Sequence, residues 1–209
     1  YHMDRPKIYH CGDVMYDNSL YFSRLAKDRS KVLQEHDLVP GAFILGTIHR
    51  DNNTDIPVRL TAIFEALLEI AKDAKIVLPL HPRTQKKMQE VLSIDLLKQI
   101  KDCESLIMIP PVSFLDMVLL EESSQMIITD SGGVQKESYF FQKPCLILRP
   151  ETEWVEIVGV GAARICDANK ELILENYRNF KVNPPQNFKA IFGNGQAAEF
   201  ICGEILKHL

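Results

Sequence analysis

The sequence has no apolar run close to the roughly 20 residues a membrane-spanning helix needs, and its first residues lack the charged-then-apolar pattern of a secretory signal. A membrane protein or a secreted one is therefore not expected. Nor is there an excess of basic residues: 24 Lys and Arg face 28 Asp and Glu, a net charge of -4. Nucleic acid and anionic lipid are not expected partners, and any anion site must be built locally. Aromatic residues are few, 8% of the chain with a single tryptophan. The five cysteines, Cys11, Cys103, Cys145, Cys166 and Cys202, are odd in number and form no C-x-x-C pair, which excludes the usual zinc, redox and disulfide frameworks. No metal and no cofactor are expected, and the thiols read as reduced groups of a cytoplasmic protein. Ten glycines and 11 prolines are scattered rather than pooled into a linker. What remains, with 46% apolar and 25% charged residues in 209, is one folded domain that can bury a large core. Tyr1-His2-Met3 reads as an expression scar, residues 4–209 as the domain itself, and the whole as an excised piece.

Six short, nearly continuous apolar runs recur: Ala42 to Ile48, Lys75 to Leu80, Leu106 to Ile109, Met126 to Thr129, Cys145 to Leu148 and Ala163 to Cys166. Strands covered on both faces look like this, so a parallel sheet is expected. Between them the spacing predicts helices over Val58 to Ala71, Thr84 to Ile100, Ser113 to Glu122, Val134 to Phe141 and Thr152 to Val158. The alternation describes an α/β, doubly wound, Rossmann-like sheet. Pro184-Pro185 breaks the chain over Asn183 to Asn187, Gly193-Asn194-Gly195 makes a sharp turn, and a last helix is expected from Gln196 to Leu209.

The most informative segment runs Ile127-Ile128-Thr129-Asp130-Ser131-Gly132-Gly133-Val134-Gln135-Lys136-Glu137, an apolar strand passing through a hydroxyl and two glycines into a helix. Glycine lets backbone approach a phosphate, and the first N–H groups of a helix, at its positive dipole end, favour an anion. The same residues also suit an ordinary tight turn with Asp130 or Ser131 as helix cap. The segment is neither a dinucleotide fingerprint nor an ATP-type phosphate loop. Glu137 could accept hydrogen bonds from two ribose hydroxyls or stand as a solvated surface acid. His49-Arg50 and His81-Pro82-Arg83 each follow a predicted strand, which places both on the same sheet edge as Ser131. Arg149 ends another, free to bind a ligand or to pair with Glu151 or Glu153. Phe114 could stack on a base, although its spacing with Leu115, Val118 and Leu119 favours the core. A Ser131–His49–Asp130 hydrolase is rejected because the G-x-S-x-G elbow is missing.

These motifs in this order resemble the non-hydrolysing UDP-N-acetylglucosamine 2-epimerase family, in its C-terminal half. Gly12 to Asp17 is similar to its G-N-T-x-x-D, Thr47 to Asn53 to T-x-H-R-x-E-N, and Phe192 to Ala197 to Y-G-D-G-x-A. His81-Pro82, Thr129 to Gly133 with Gln135 and Glu137, Lys143-Pro144, Arg149 and Thr152-Glu153 fall in order between them. The resemblance implies one half of a glycosyltransferase-B type fold, with a UDP-sugar as partner and the N-terminal domain absent; family members are commonly dimers. Ser131, Gly132 and Gly133 would hold the diphosphate, Glu137 the ribose, and Phe114 and Met117 the uracil. His49 would be catalytic beside the diphosphate with Arg50 and His81 close by, and Arg149, Thr152 and Glu153 would form a substrate loop. The implied chemistry is elimination of UDP to a 2-acetamidoglucal and re-addition after reprotonation on the opposite face, interconverting UDP-GlcNAc and UDP-ManNAc for surface polysaccharide, with essential carboxylates from the absent domain. Asn52, Lys136 and Trp154-Val155 depart from the pattern, where the family has Glu, an acid and Arg-Pro; the loss of Arg-Pro, with Met117 where an aromatic is common, leaves the sugar open to modification. Two alternatives stay in view: a UDP-sugar glycosyltransferase half, which would need an acceptor, and a stand-alone nucleotide-sugar binding module.

Overall fold

The six apolar runs become six parallel strands. The computed structural model describes residues 8–207, so the expected scar at 1–3 lies outside the described residues. The strands are β1 (Phe43–Thr47), β2 (Lys75–Pro79), β3 (Leu106–Ile109), β4 (Met126–Thr129), β5 (Cys145–Ile147) and β6 (Ala163–Ile165), in the order β3-β2-β1-β4-β5-β6. The helices are α1 (Val14–Arg29), α2 (Val32–Glu35), α3 (Asp51–Thr54), α4 (Pro57–Ile70), α5 (Pro82–Val91), α6 (Ile94–Asp102), α7 (Phe114–Ser123), α8 (Gly132–Phe140), α9 (Val155–Gly159), α10 (Lys170–Val182) and α11 (Ala197–Leu206). The winding reverses between β1 and β4, and such switch points open a crevice beyond the carboxyl ends of the strands. The expected doubly wound, Rossmann-like sheet is what forms.

Both faces of the sheet are covered. Ile44, Ile76, Leu78, Ile128 and Leu146 pack with Leu60, Phe64 and Leu67 of α4 and with Ile173 and Phe180 of α10, all fully or nearly fully buried. On the opposite face Phe43, Leu45, Val77 and Ile127 meet α1, α7 and Val134 of α8. A third cluster joins Tyr139, Cys145, Ile147 and Ile157 to Phe188 and Phe192. Burial pushes the Cys145 and Cys166 thiols up to about 12, so both stay protonated core groups. Among the described residues no helix is long and apolar enough to cross a membrane.

Two helix expectations need correction. The span Thr84 to Ile100 is two helices, because Ser93 leaves the helical path and caps Leu96 N at 3.2 Å. The span Thr152 to Val158 is helical only from Val155, since Thr152 and Trp154 are held in the preceding loop. Four helices lie outside the expected set: the single-turn α2 and α3, and the longer α1 and α10. The face α1 buries is Ser19, Ser23 and Ala26, which carries no hydrophobic period. By contrast α10 buries Ile173, Tyr177 and Phe180 at helical spacing. The extended stretch after Val182 and the turn at Gly193 and Gly195, both at positive φ, agree with expectation.

Candidate nucleotide site

At the switch point the last residues of β1 and β4 pair directly, and the Thr47 and Thr129 hydroxyls lie 2.6 Å apart. Asp130 follows, with its carboxylate wholly buried. It accepts hydrogen bonds from the backbone N–H of His49 (3.0 and 3.1 Å), that of Arg50 (3.0 Å) and Asn53 Nδ2 (3.0 Å), and its carbonyl accepts from Arg50 Nε at 3.2 Å. Asn53 donates as well to the Leu148 carbonyl (2.9 Å) and accepts from Arg59, which is paired with Asp167. A buried carboxylate is tolerated only when hydrogen-bonded in this way. One side chain thereby ties the loops after β1, β4 and β5 into a single edge. Asp130 is neither a hydrolase acid nor the cap of α8.

The cap is Ser131, whose Oγ accepts from Val134 N at 3.5 Å and keeps its own O–H to donate; Ser131 N is taken by Thr129 Oγ1 at 2.9 Å. Gly132 and Gly133 are the first two residues of α8, and among the described residues no acceptor takes their amides. Helix geometry leaves those N–H groups pointing out of the N-terminus. Neighbours fix what a side chain would meet there: a Cβ at Gly132 would lie 3.4 Å from Glu153 Oε2, 3.7 Å from Arg149 Nη1 and 3.9 Å from Trp154 Nε1, and one at Gly133 3.9 Å from Glu137 Oε2. Glu137 therefore stands one turn along from Gly133 on the same face, half-buried, with burial raising its pKa.

A cleft of about 500 Å³ opens over this edge, and its walls include His49, Arg50, His81, Phe114, Met117, Ser131 and Gly132. The residues predicted from three separate loops thus converge. Gly133, Glu137, Arg149, Thr152 and Glu153 lie outside these walls, beside the amides of α8. Desolvation lowers the His49 pKa, the Asp130 carboxylate opposes this and His81 reinforces it, so the imidazole is neutral near pH 7. His81 Nδ1 accepts from Arg83 N at 3.2 Å. Phe114 corrects its expected core placement: it is 55% exposed at the cleft mouth, edge-on to Phe22 at 5.0 Å. Arg149 pairs with Glu153 through two contacts of 2.8 and 2.7 Å, which hold the Glu153 carboxyl at about 2. Thr152 Oγ1 donates to Gln135 Oε1 at 2.6 Å, clasping the loop after β5 to α8. Among the described residues no cluster of His, Cys, Asp and Glu could hold a metal ion.

The family described as UDP-N-acetylglucosamine 2-epimerase matches residues 2–206. The chain belongs to the UDP-N-acetylglucosamine 2-epimerase family. It is 41% identical to a UDP-N-acetylglucosamine 2-epimerase homolog of Methanococcus maripaludis, over 97% of this chain and 55% of that protein. It is also 41% identical to the UDP-2,3-diacetamido-2,3-dideoxy-D-glucuronate 2-epimerase of Pseudomonas aeruginosa, over 96% and 53%. The crystal structure of the Methanocaldococcus jannaschii UDP-GlcNAc 2-epimerase in complex with UDP-GlcNAc and UDP superposes with a TM-score of 0.82 at 33% identity, covering 99% of this chain and 56% of that one. The chain spans about half the length of these epimerases.

In this epimerase-family chain the departures noted in the sequence have distinct fates. Asn52 is exposed on α3. Lys136 is buried, ion-paired with Asp13 at the start of α1, and covered by the Trp154 ring at 4.1 Å. Sequence reasoning missed the organising roles of Asp130, Asn53 and Gln135, whose partners lie far along the chain and leave no local spacing. Trp154, the only tryptophan, was seen merely as a departure from the family pattern.

Proposed function

We propose that the full-length protein is a UDP-sugar 2-epimerase and that this chain is the half that holds UDP. The observation that carries the reading is the pair of untaken amides of Gly132 and Gly133, at the head of α8, between the His49-Arg50 loop and Arg149. The named relatives support it. In the proposed reaction the proton at the second sugar carbon is removed, the anomeric C–O bond breaks and UDP leaves. A 2-acetamidoglucal forms, and re-addition of UDP after protonation from the other face yields the epimer. Charge accumulates on the departing diphosphate, and preorganised amides and a helix dipole stabilise it without reorganising. Neutral His49 donates one N–H to a phosphate oxygen while its other nitrogen accepts. Glu137 takes the ribose hydroxyls and Phe114 the uracil face. The carbon acid–base groups belong to the remainder of the protein. The setting is cytoplasmic, and the product feeds surface polysaccharide.

A second reading concerns the sugar. Identity is 41% both to the diacetamido-glucuronate enzyme and to the UDP-N-acetylglucosamine 2-epimerase homolog of M. maripaludis, which sets an acetamido sugar with further substituents beside plain UDP-GlcNAc. Incubating the full-length protein with each UDP-sugar and resolving epimers by NMR tests both readings. Epimer from either supports the reaction, the preferred sugar decides between them, and acceptor-dependent release of UDP would replace both with a transferase. His49→Asn is expected to lower turnover more than UDP affinity; the opposite order would make His49 a binding residue only.

A further inference from the structure

The only tryptophan of the chain meets the phosphate-facing helix through its one polar atom. Trp154 Nε1 donates to the carbonyl of Gly132 at 2.8 Å. In a planar trans peptide the carbonyl and the following N–H point in opposite directions, so a donor fixed on the Gly132 carbonyl also fixes where the Gly133 N–H aims, namely outward from the start of α8. The same hydrogen bond polarises that peptide and makes its N–H a stronger donor. The indole is itself held on several sides. Its backbone N–H donates to Thr152 Oγ1 (3.0 Å), which is bound to Gln135 (2.6 Å). Phe192 meets the ring edge-on at 6.1 Å, and the Lys136 ammonium, paired with Asp13, lies over its face. A cation on the ring face withdraws electron density and makes the indole N–H more acidic.

We infer that Trp154 is a positioning residue for the diphosphate: it orients and polarises the Gly132–Gly133 peptide through its indole N–H, with Lys136 and Asp13 as its support. This rests on the proposed UDP reading of the same helix terminus. Trp154 sits in the wall around Gly132 rather than among the cleft-lining groups, and its polar atom already has an acceptor. It therefore acts through the backbone.

The test compares UDP with uridine, which has the base and ribose but no phosphate, by calorimetry on the full-length protein and its Trp154→Phe variant. Loss of one hydrogen bond to the peptide predicts UDP affinity down about three- to tenfold and uridine affinity within twofold of wild type. The isosteric 3-benzothienylalanine at position 154, which keeps the bicyclic ring over Lys136 and lacks only the N–H, is expected to give the same split and guards against loss of packing in the phenylalanine variant. Undiminished UDP affinity in the isostere would overturn the inference, as would an equal loss for both ligands, the mark of a purely structural role. If the wild-type protein itself held UDP no better than uridine, the diphosphate reading would fail first and the role of Trp154 with it.

Discussion

Glu121 is a buried carboxyl, 1% exposed on α7, without a hydrogen-bond partner for either oxygen among the described residues. Burial raises its pKa well above the carboxylate range, and the nearby Glu137 adds to the shift. The native state therefore holds a proton that the unfolded chain releases above about pH 4.5. For an acid whose folded pKa is raised, the penalty is absent below the unfolded pKa and grows as pH rises toward the folded one, at up to ~1.4 kcal/mol per pH unit. Glu121→Gln, which mimics the protonated acid, is expected to raise the melting temperature at pH 7.5 and to change it little near pH 4. Equal melting at both pH values would show that Glu121 is ionised and paired. Such a residue is invisible in the sequence, where Glu121-Glu122 reads as the polar end of a helix. Asp130 is the converse case: legible as a loop residue, but with three N–H donors to its carboxylate arriving from about 80 residues earlier in the chain.

Elements were legible where burial is two-sided and apolar, and illegible where small residues make the contact. The strands fall within the predicted runs because most of their apolar residues are covered by helices, with Met108 and Ile165 of the edge strands exposed. In contrast, α1 packs through serine and alanine, and the break at Ser93 depends on a side chain leaving the helix to cap the next one. The loops of the candidate site could be grouped because parallel topology alone sends them to one side. The seam between the head of α1 and the 190s loop could be anticipated as a turn but not as a close crossing. Gly193 has φ +87°, and a Cβ there would sit 2.8 Å from the Cα of Gly12, while Asp13 N donates to Phe192 O at 3.0 Å across the same seam. Both backbone conformation and contact demand glycine. Gly193→Ala is expected to cost roughly 3 kcal/mol, which in a chain of this size lowers the melting temperature by about 6–12 °C. A loss below about 2 °C in a thermal melt would mean that the seam yields freely. Because Asp13 also holds Lys136, the variant should loosen the support of Trp154 as well.

On the scale of the whole molecule, the proposed function separates nucleotide binding from the chemistry. The core, the switch-point edge and the untaken amides of α8 all lie within the described residues, which also supply walls of the cleft. The proposed reaction additionally needs a base and an acid at a carbon atom, a task that calls for titratable groups positioned on either face of the sugar. Here His49 and His81, titratable groups of the cleft wall, share the edge where the diphosphate is proposed to sit. Binding should therefore survive in this chain by itself while turnover does not. Titrating the 209-residue chain with UDP is expected to show saturable binding, weakened at least fivefold by Glu137→Ala through loss of the ribose hydrogen bonds. The same preparation should release no epimer from a UDP-sugar over hours, whereas the full-length protein should. Epimer formed by the chain alone would place the acid–base pair in this half and force His49 and His81 into that role. No UDP binding at all would show that the edge becomes a nucleotide site only when the remainder of the protein closes over it.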